Sequence, residues 1–425
     1  MRSFMKQFII IGNSAAGIAA VEAIRQKDKE SKIVIISDED YPAYCRCLIS
    51  YFLAGDILEE KLVYRPQEFY RENNLDLILN KKVTKVEPKK NRIVLEDKSS
   101  IGYDRLLIAT GASSKFPPVL KGLKKRGVFG FRTIKDAKEI LNLVPVSSTG
   151  CILGGGLIGL NAAYGLLKKK QEIKVIEKLR FVLFQMLDEK SASLFMKKFQ
   201  DAGVEILTGR DIVEILGNGD LKAVRLDSGK VIACSILVVG TGVDPNVDIV
   251  KDTQIKIDKG IVVDQYLKTN IPNIFAAGDV AQTFDIAYKN RAVNALWPNA
   301  VEQGRVAGLN MAGENLEYDG SMAMNSIEFF NLPAVSMGIT RPRSPEFEEI
   351  EFCDEKREIY KKFVLKENRL LGMIAVGDIK NCGVFLRLIK EGTDISSIKG
   401  ELTSETFSYV KVLDLLKPKD EIYIK

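Results

Sequence analysis

The sequence predicts an α/β protein in which two copies of a strand–turn–helix–strand unit precede an α+β domain. Three observations carry this reading. Short, wholly apolar, β-branched runs alternate with helical segments, as strands buried on both faces of a parallel sheet do. Two of those runs lead into a glycine turn and a small-residue helix, roughly 140 residues apart, which is an internal duplication. Beyond residue 320, strand-like runs at 359–365 and 371–376 are followed by a helix at 382–390, a pattern for an α+β layer.

The elements follow in order. Residues 8–11 read as a buried strand, Gly12-Asn13-Ser14-Ala15-Ala16-Gly17 as its turn, 18–26 as a helix and 33–36 as the next strand. That is one βαβ unit of about thirty residues. The second copy has a strand at 151–153, the turn Gly154-Gly155-Gly156-Leu157-Ile158-Gly159, a helix at 160–169 and a strand at 173–177. In such a turn the first glycine permits the tight bend, the second lets a phosphate reach the backbone, and the third lets helix and strand pack closely. Amides of the helix start, near Ala15 in one copy and near Leu157 and Ile158 in the other, then hold a pyrophosphate with help from the helix dipole. Gly154, Gly156 and Gly159 supply all three glycines, whereas the first copy has Gly12 and Gly17 with Ser14 between them. Two copies in phase imply two dinucleotide sites. Glu177, ending its strand, is placed to accept from both ribose hydroxyls, and Asp38 or Glu39 holds that place in the first copy. A carboxylate there repels a 2′-phosphate, so NADH is expected over NADPH, although Lys178 and Arg180 nearby soften that inference.

Composition excludes much else. The chain has no histidine, so imidazole cannot be a base, a proton shuttle or a metal ligand. Ser-His-Asp and Cys-His nucleophile schemes, histidine zinc sites and haem on a proximal histidine are therefore excluded. The net charge of +6 lies in short runs such as Lys168-Lys169-Lys170, which read as solvated faces or as a docking patch for an acidic electron-transfer partner. No nucleic-acid pattern is present. Cysteines 45, 47, 151, 234, 353 and 382 include no Cys-x2-Cys pair, so no metal site is expected, and a cytoplasmic location is. Residues 1–20 imitate a signal peptide and 150–167 reach the length threshold of a membrane span. Both are read as glycine-turn units instead.

Leu106-Leu107-Ile108-Ala109-Thr110-Gly111 and Ile274-Phe275-Ala276-Ala277-Gly278-Asp279, with the two glycine turns, resemble the pyridine nucleotide–disulfide oxidoreductase superfamily over essentially the whole chain. The resemblance implies two Rossmann-like dinucleotide-binding domains in an FAD-dependent NAD(P)H oxidoreductase. The first would bind FAD and the second NAD(H), with NADP(H) disfavoured. It implies an FAD domain of residues 1–115 and 243–320, an NAD(H) domain of 116–242, and a C-terminal α+β domain of 321–425. Asp279, after Gly278, would meet the FAD ribityl chain. Ala109, Thr110 and Gly111 would close the FAD domain near the pyrophosphate, and residues 237–242, ending at Gly242, would be the second such crossover. Similarity is closer to the NADH oxidase, nitrite reductase flavin-domain and rubredoxin reductase branch. Tyr44-Cys45-Arg46-Cys47-Leu48-Ile49-Ser50-Tyr51 resembles a segment whose arginine touches FAD phosphate, which implies that role for Arg46. Phe131-Arg132-Thr133 implies an FAD contact for Arg132, Trp297 and Pro298 open a helix aimed at the flavin, and residues 372–390 resemble a dimerisation or interface domain.

Departures from the branch narrow its chemistry. Its peroxidase and oxidase members carry a flavin-side histidine where this chain has Ala15, and a single redox cysteine that registers on Cys47. Cys45-Arg46-Cys47 lacks the CysxxxxCys spacing of classical disulfide reductases. The two cysteines read either as small buried residues or as a redox-active Cys47, paired with Cys45 or with a small thiol. Related ferredoxin reductases pair a lysine with a glutamate near the nicotinamide. Tyr51 and Asn161 stand there, which suggests a neutral hydrogen-bonded contact. The expected activity is an NADH:acceptor oxidoreductase passing single electrons between FAD and an iron–sulfur carrier, such as rubredoxin, a ferredoxin or a ferredoxin-like subunit. The alternatives are an NADH oxidase or a thiol, polysulfide or CoA-disulfide-like reductase using Cys47, and an electron-entry subunit of a larger complex. A homodimer or a complex subunit is expected.

Overall fold

The computed structural model describes residues 5–416, so the outermost parts of the expected ranges, 1–4 and 417–425, lie outside the described residues. The apolar runs become the middles of parallel sheets. The first sheet has the order Ile274–Ala276, Arg105–Ile108, Gln7–Ile11, Lys32–Ile36, Leu75–Ile78, with every neighbouring pair parallel. Phe8, Ile9 and Ile10 have no exposed surface, which is why their run shows no polar alternation. In the second, Glu172–Glu177, Thr149–Leu153, Ile236–Val239 and Val128–Phe129 pair in that order, again parallel.

Each repeat continues in the same way. A three-stranded antiparallel meander follows the first βαβ unit (Val83–Glu87, Arg92–Leu95, Ser100–Gly102), and another follows the second (Ile212–Leu216, Ala223–Leu226, Val231–Ala233). The chain then re-enters its own sheet through Arg105–Ile108 or Ile236–Val239. The duplication therefore extends well past the glycine turns. The helices Ala15–Lys27 and Leu157–Lys168 start three residues before their apolar periodicity does, because the extended residues Ser14 and Gly156 cap them inside the turn.

Two contacts position the site. Gly304 and Gly308, on the helix Trp297–Met311, face Ala16 and Ala20 of Ala15–Lys27. A Cβ at either would lie 2.2 Å from the Ala16 carbonyl oxygen or 2.4 Å from that of Ala20, so the helices meet backbone to backbone. The crossover strands Ala112–Ser114 and Val243–Pro245 pair antiparallel. The helix Ile134–Leu143 opens on a reciprocal cap, in which the Asp136 amide donates to Thr133 Oγ1 at 3.0 Å and the Thr133 amide to Asp136 Oδ2 at 2.9 Å. Thr133→Ala is expected to cost about 1 kcal/mol, measured as a lower urea midpoint at unchanged m.

The chain divides into two compact units. One runs to Lys178 and includes Arg210–Asp285 and Asn290–Ser321; the other comprises Leu179–Gly209, Ile286–Lys289 and the residues from Met322. The second unit holds an antiparallel sheet ordered Met324–Phe329, Leu332–Gly338, Arg369–Val376, Ile359–Lys366, Glu348–Asp354. The helix Cys382–Glu391 buries Phe385, Leu388 and Ile389 in the same core. Lys361 and Lys362 are buried but paired, with Asp378 at 2.8 Å and Asp188 at 3.4 Å. Residues 343–345 are exposed, whereas Arg341 is half-buried, its guanidinium carbon 3.5 Å from the Phe184 ring centroid. Among the described residues no helix is long and apolar enough to cross a membrane.

Candidate functional site

Both glycine turns lie at carboxyl ends of parallel strands, the usual ligand edge of such sheets. Gly12 has φ +121°, and a Cβ there would lie 2.0 Å from the Ala109 carbonyl oxygen. A Cβ on Gly17 would lie 2.0 Å from the Gly12 carbonyl oxygen. The second turn repeats this: Gly154 has φ +101° and is crowded by Gly240, and a Cβ on Gly159 would lie 1.9 Å from the Gly154 carbonyl oxygen. Around Gly156, in contrast, nothing lies within 4 Å of a built Cβ. The middle position is open space at a helix N-terminus, the kind of place where a pyrophosphate meets backbone amides. That space also explains Ser14 at the matching place in the first turn, where its side chain makes no capping hydrogen bond. Ala15 is 3 % exposed, while Leu157 and Ile158 are half-buried at their helix start.

At the strand ends the carboxylates differ. Glu177 is buried and accepts from the Gly155 amide at 2.6 Å, which fixes it against the second turn. Asp38 is exposed. Glu39 is half-buried and held by Arg46 and by the Tyr44 hydroxyl, which donates to it. Arg46 also donates to the Arg132 carbonyl oxygen at 3.0 Å. Arg132 in turn donates to Asp279 Oδ2 at 2.8 Å, and its own amide donates to Asp136 at 2.8 Å. Thus Tyr44, Glu39, Arg46, Arg132 and Asp279 form one chain of contacts. The Arg132 Nε is buried without a partner, a donor left over for a ligand oxygen. Burial raises the Tyr44 hydroxyl pKa above its ordinary value.

The remaining candidates surround this chain. The Thr110 hydroxyl donates to the Asn246 carbonyl oxygen at 2.8 Å. Gly111 (φ +67°) and Gly242 (φ +109°) flank the paired crossovers with nothing within 4 Å of a built Cβ. The amide of Gly278 donates to Gln303 Oε1 at 2.8 Å. Trp297 meets Tyr64 edge-on at 5.2 Å, and Pro298 lies in the first turn of its helix, where a missing amide is harmless. Sequence reasoning missed Gln303, Tyr44 and Asp136; only Asp136 had a readable signal, the Thr133-x-x-Asp136 cap spacing. The expected Tyr51–Asn161 contact is not formed. Asn161 donates instead to the Leu157 carbonyl oxygen of its own helix at 2.9 Å, and Tyr51 is exposed.

Cys47 is exposed and Cys45 half-buried. They precede the short helix Ile49–Ala54, which packs on Leu157–Lys168: a Cβ on Gly165 would lie 2.9 Å from the Leu53 side chain. No cluster of three metal-ligating side chains occurs among the described residues.

Comparison with known proteins agrees with this geometry. Residues 6–304 match the pyridine nucleotide-disulphide oxidoreductase family, and residues 324–393 match the rubredoxin NAD+ reductase C-terminal domain. The chain is 32 % identical over 394 residues to the nitrite reductase [NAD(P)H] of Bacillus subtilis, covering 92 % of this chain but 48 % of that protein, about half its length. It is 29 % identical over 402 residues to the NADH-dependent phenylglyoxylate dehydrogenase subunit epsilon of Aromatoleum evansii, covering 94 % of each. The solved NADH:rubredoxin oxidoreductase of Clostridium acetobutylicum superposes with a TM-score of 0.76 at 24 % identity, over 92 % of this chain and 97 % of that one. The open space at Gly156 in the second glycine turn, the orphaned Arg132 donor and the family match together make FAD and NAD(H) its cofactors. The chain belongs to the pyridine nucleotide-disulphide oxidoreductase family and is a flavoprotein oxidoreductase.

Proposed function

We propose that this protein moves hydride between NAD(H) and FAD and single electrons between FAD and an iron–sulfur carrier: rubredoxin, a ferredoxin or a ferredoxin-like subunit. The observation that carries the reading is Ala15, buried at the start of the first-turn helix in a chain with no histidine. No imidazole stands there to handle protons for a peroxide or a disulfide, and hydride transfer with outward electron transfer needs none. FAD, when bound, supplies the conversion between paired and single electrons. Gly154, Gly156, Gly159 and Glu177 would orient the NAD(H) pyrophosphate and ribose. Arg46, Arg132 and Asp279 would fix the FAD, and the N-terminus at Trp297 and Pro298 would favour negative charge on it. Anaerobic NADH is expected to bleach the flavin, and rubredoxin or ferredoxin to reoxidise it at least about tenfold faster than oxygen, small disulfides or polysulfide. Absence of FAD, or equal slowness with every acceptor, would overturn the proposal.

A second reading is favoured by the end-to-end match to a dehydrogenase subunit. Here the protein serves as the electron-entry subunit of a larger complex. Co-purification as a hetero-oligomer supports it, and a fully active homodimer on size exclusion counts against it.

A further inference from the structure

Two tight turns of the second unit border a cavity of about 390 Å³ that contains none of the residues assigned to FAD or NAD(H). One turn is residues 286–289. Ala287 is buried in the core of that unit, which pins the turn and leaves Tyr288 53 % exposed and Lys289 exposed in a left-handed conformation (φ +53°). The other is the two-residue hairpin Glu367-Asn368, both left-handed (φ +50° and +56°), between the strands Ile359–Lys366 and Arg369–Val376. The Asn368 carbonyl oxygen accepts from the Ile395 amide at 2.9 Å, and Arg369 donates to the Gly392 carbonyl oxygen, so this turn is held as well. Ile339 and Leu371, tied by the Ile339 amide on the Leu371 carbonyl oxygen at 3.0 Å, give the cavity an aliphatic lining, and Phe347 and Tyr288 give it an aromatic one.

Three cations line the same space. Lys366 is neutralised by Glu346 at 3.0 Å. Arg369 spends an N–H on an uncharged carbonyl. The Lys289 ammonium has no ion-pair partner among the described residues. Glu367, the one carboxylate in the lining, offsets a single charge. Among the lining groups and their ion-pair partners, one positive charge is therefore left over beside apolar surface. We infer that the cavity binds a small aryl carboxylate, its ring against Ile339, Leu371, Phe347 and Tyr288 and its carboxylate toward Lys289 and Arg369. Such a volume suits one small ligand with an apolar body and few polar contacts. A phosphate dianion brings one negative charge more than the cavity leaves uncompensated, and a carboxylate without a ring leaves the aromatic lining wet. Both turns are already fixed, so little affinity is lost to ordering them. The site is independent of the electron carrier, because binding is read with no carrier present.

The test is isothermal titration calorimetry of the FAD-loaded protein with NAD+ at saturation, which keeps the probes off the dinucleotide site. The probes are 2-naphthoate, its uncharged counterpart 2-naphthylmethanol, and acetate and inorganic phosphate as anions without a ring. The expected result is saturable binding of 2-naphthoate, at least about fivefold tighter than the alcohol and at least about tenfold tighter than either small anion. Lys289→Gln is expected to narrow the preference for naphthoate over the alcohol about threefold and to leave the alcohol unchanged. Tyr288→Ala is expected to weaken both aromatic probes alike, about fivefold or more. Both side chains are exposed, and FAD content and Tm equal to the parent's confirm folding. No saturable binding of 2-naphthoate, equal affinity for the alcohol, phosphate bound as tightly as naphthoate, or binding untouched by both substitutions sinks the proposal.

Discussion

Gly159→Ala keeps its flavin and loses reduction by NADH, with kcat/KM for NADH down at least about 100-fold, close to 3 kcal/mol of transition-state stabilisation. The cause is local and steric. The new Cβ would lie 1.9 Å from the Gly154 carbonyl oxygen, which is backbone and cannot rotate away. The helix Leu157–Lys168 must then back off the strand Thr149–Leu153, and its first amides leave the place where a pyrophosphate would sit. Gly156→Ala is the informative companion. Its Cβ meets nothing within 4 Å, and the first turn already carries Ser14 there, so a rise in KM of about tenfold or less is expected. Stopped-flow bleaching by NADH and FAD content per protein measure both. Equal losses in the two variants would show that the third glycine is not the steric key.

Arg132→Met is expected to cost the FAD. Arg132 and Asp279 form an ion pair at 2.8 Å with both side chains 18 % exposed, so the substitution strands a mostly buried carboxylate. Losing one partner of such a pair costs about 2–3 kcal/mol once residual solvent screening is allowed for, which corresponds to a roughly 30- to 150-fold weaker FAD Kd. Adding Asp279→Asn to Arg132→Met is expected to recover part of that loss, because the stranded charge is removed along with its partner. FAD retained after desalting, titrated by flavin fluorescence, reads both variants. If the double variant binds FAD no better than Arg132→Met, the buried carboxylate is not the source of the cost.

The sheets were legible because residues 8–11, 33–36 and 151–153 are buried on both faces and need no alternation to declare themselves. The glycines were legible because a backbone collision leaves only one residue type at Gly12, Gly17, Gly154 and Gly159. The two meanders were not. Strands such as Val83–Glu87 are half-exposed, with an irregular pattern that has neither period two nor 3.6. The contact of Arg46 with the Arg132 carbonyl joins residues 86 apart and leaves no local pattern. The Tyr51–Asn161 contact failed for a physical reason: an asparagine inside a helix can satisfy its amide on the carbonyl four residues back, as Asn161 does with Leu157.

The glycine-tight seam between Ala15–Lys27 and Trp297–Met311 has a consequence for synthesis. On the ribosome the first sheet is made as far as Arg105–Ile108, then waits for Ile274–Ala276 to cover that edge and for Gly304 and Gly308 to cover its first helix. The whole second repeat is translated in between, and its own sheet needs nothing beyond residue 239. The nascent chain therefore completes its parts out of order, with the interior repeat first. Until residue 311 emerges, the N-terminal half is an open-edged, apolar intermediate that needs protection from its neighbours.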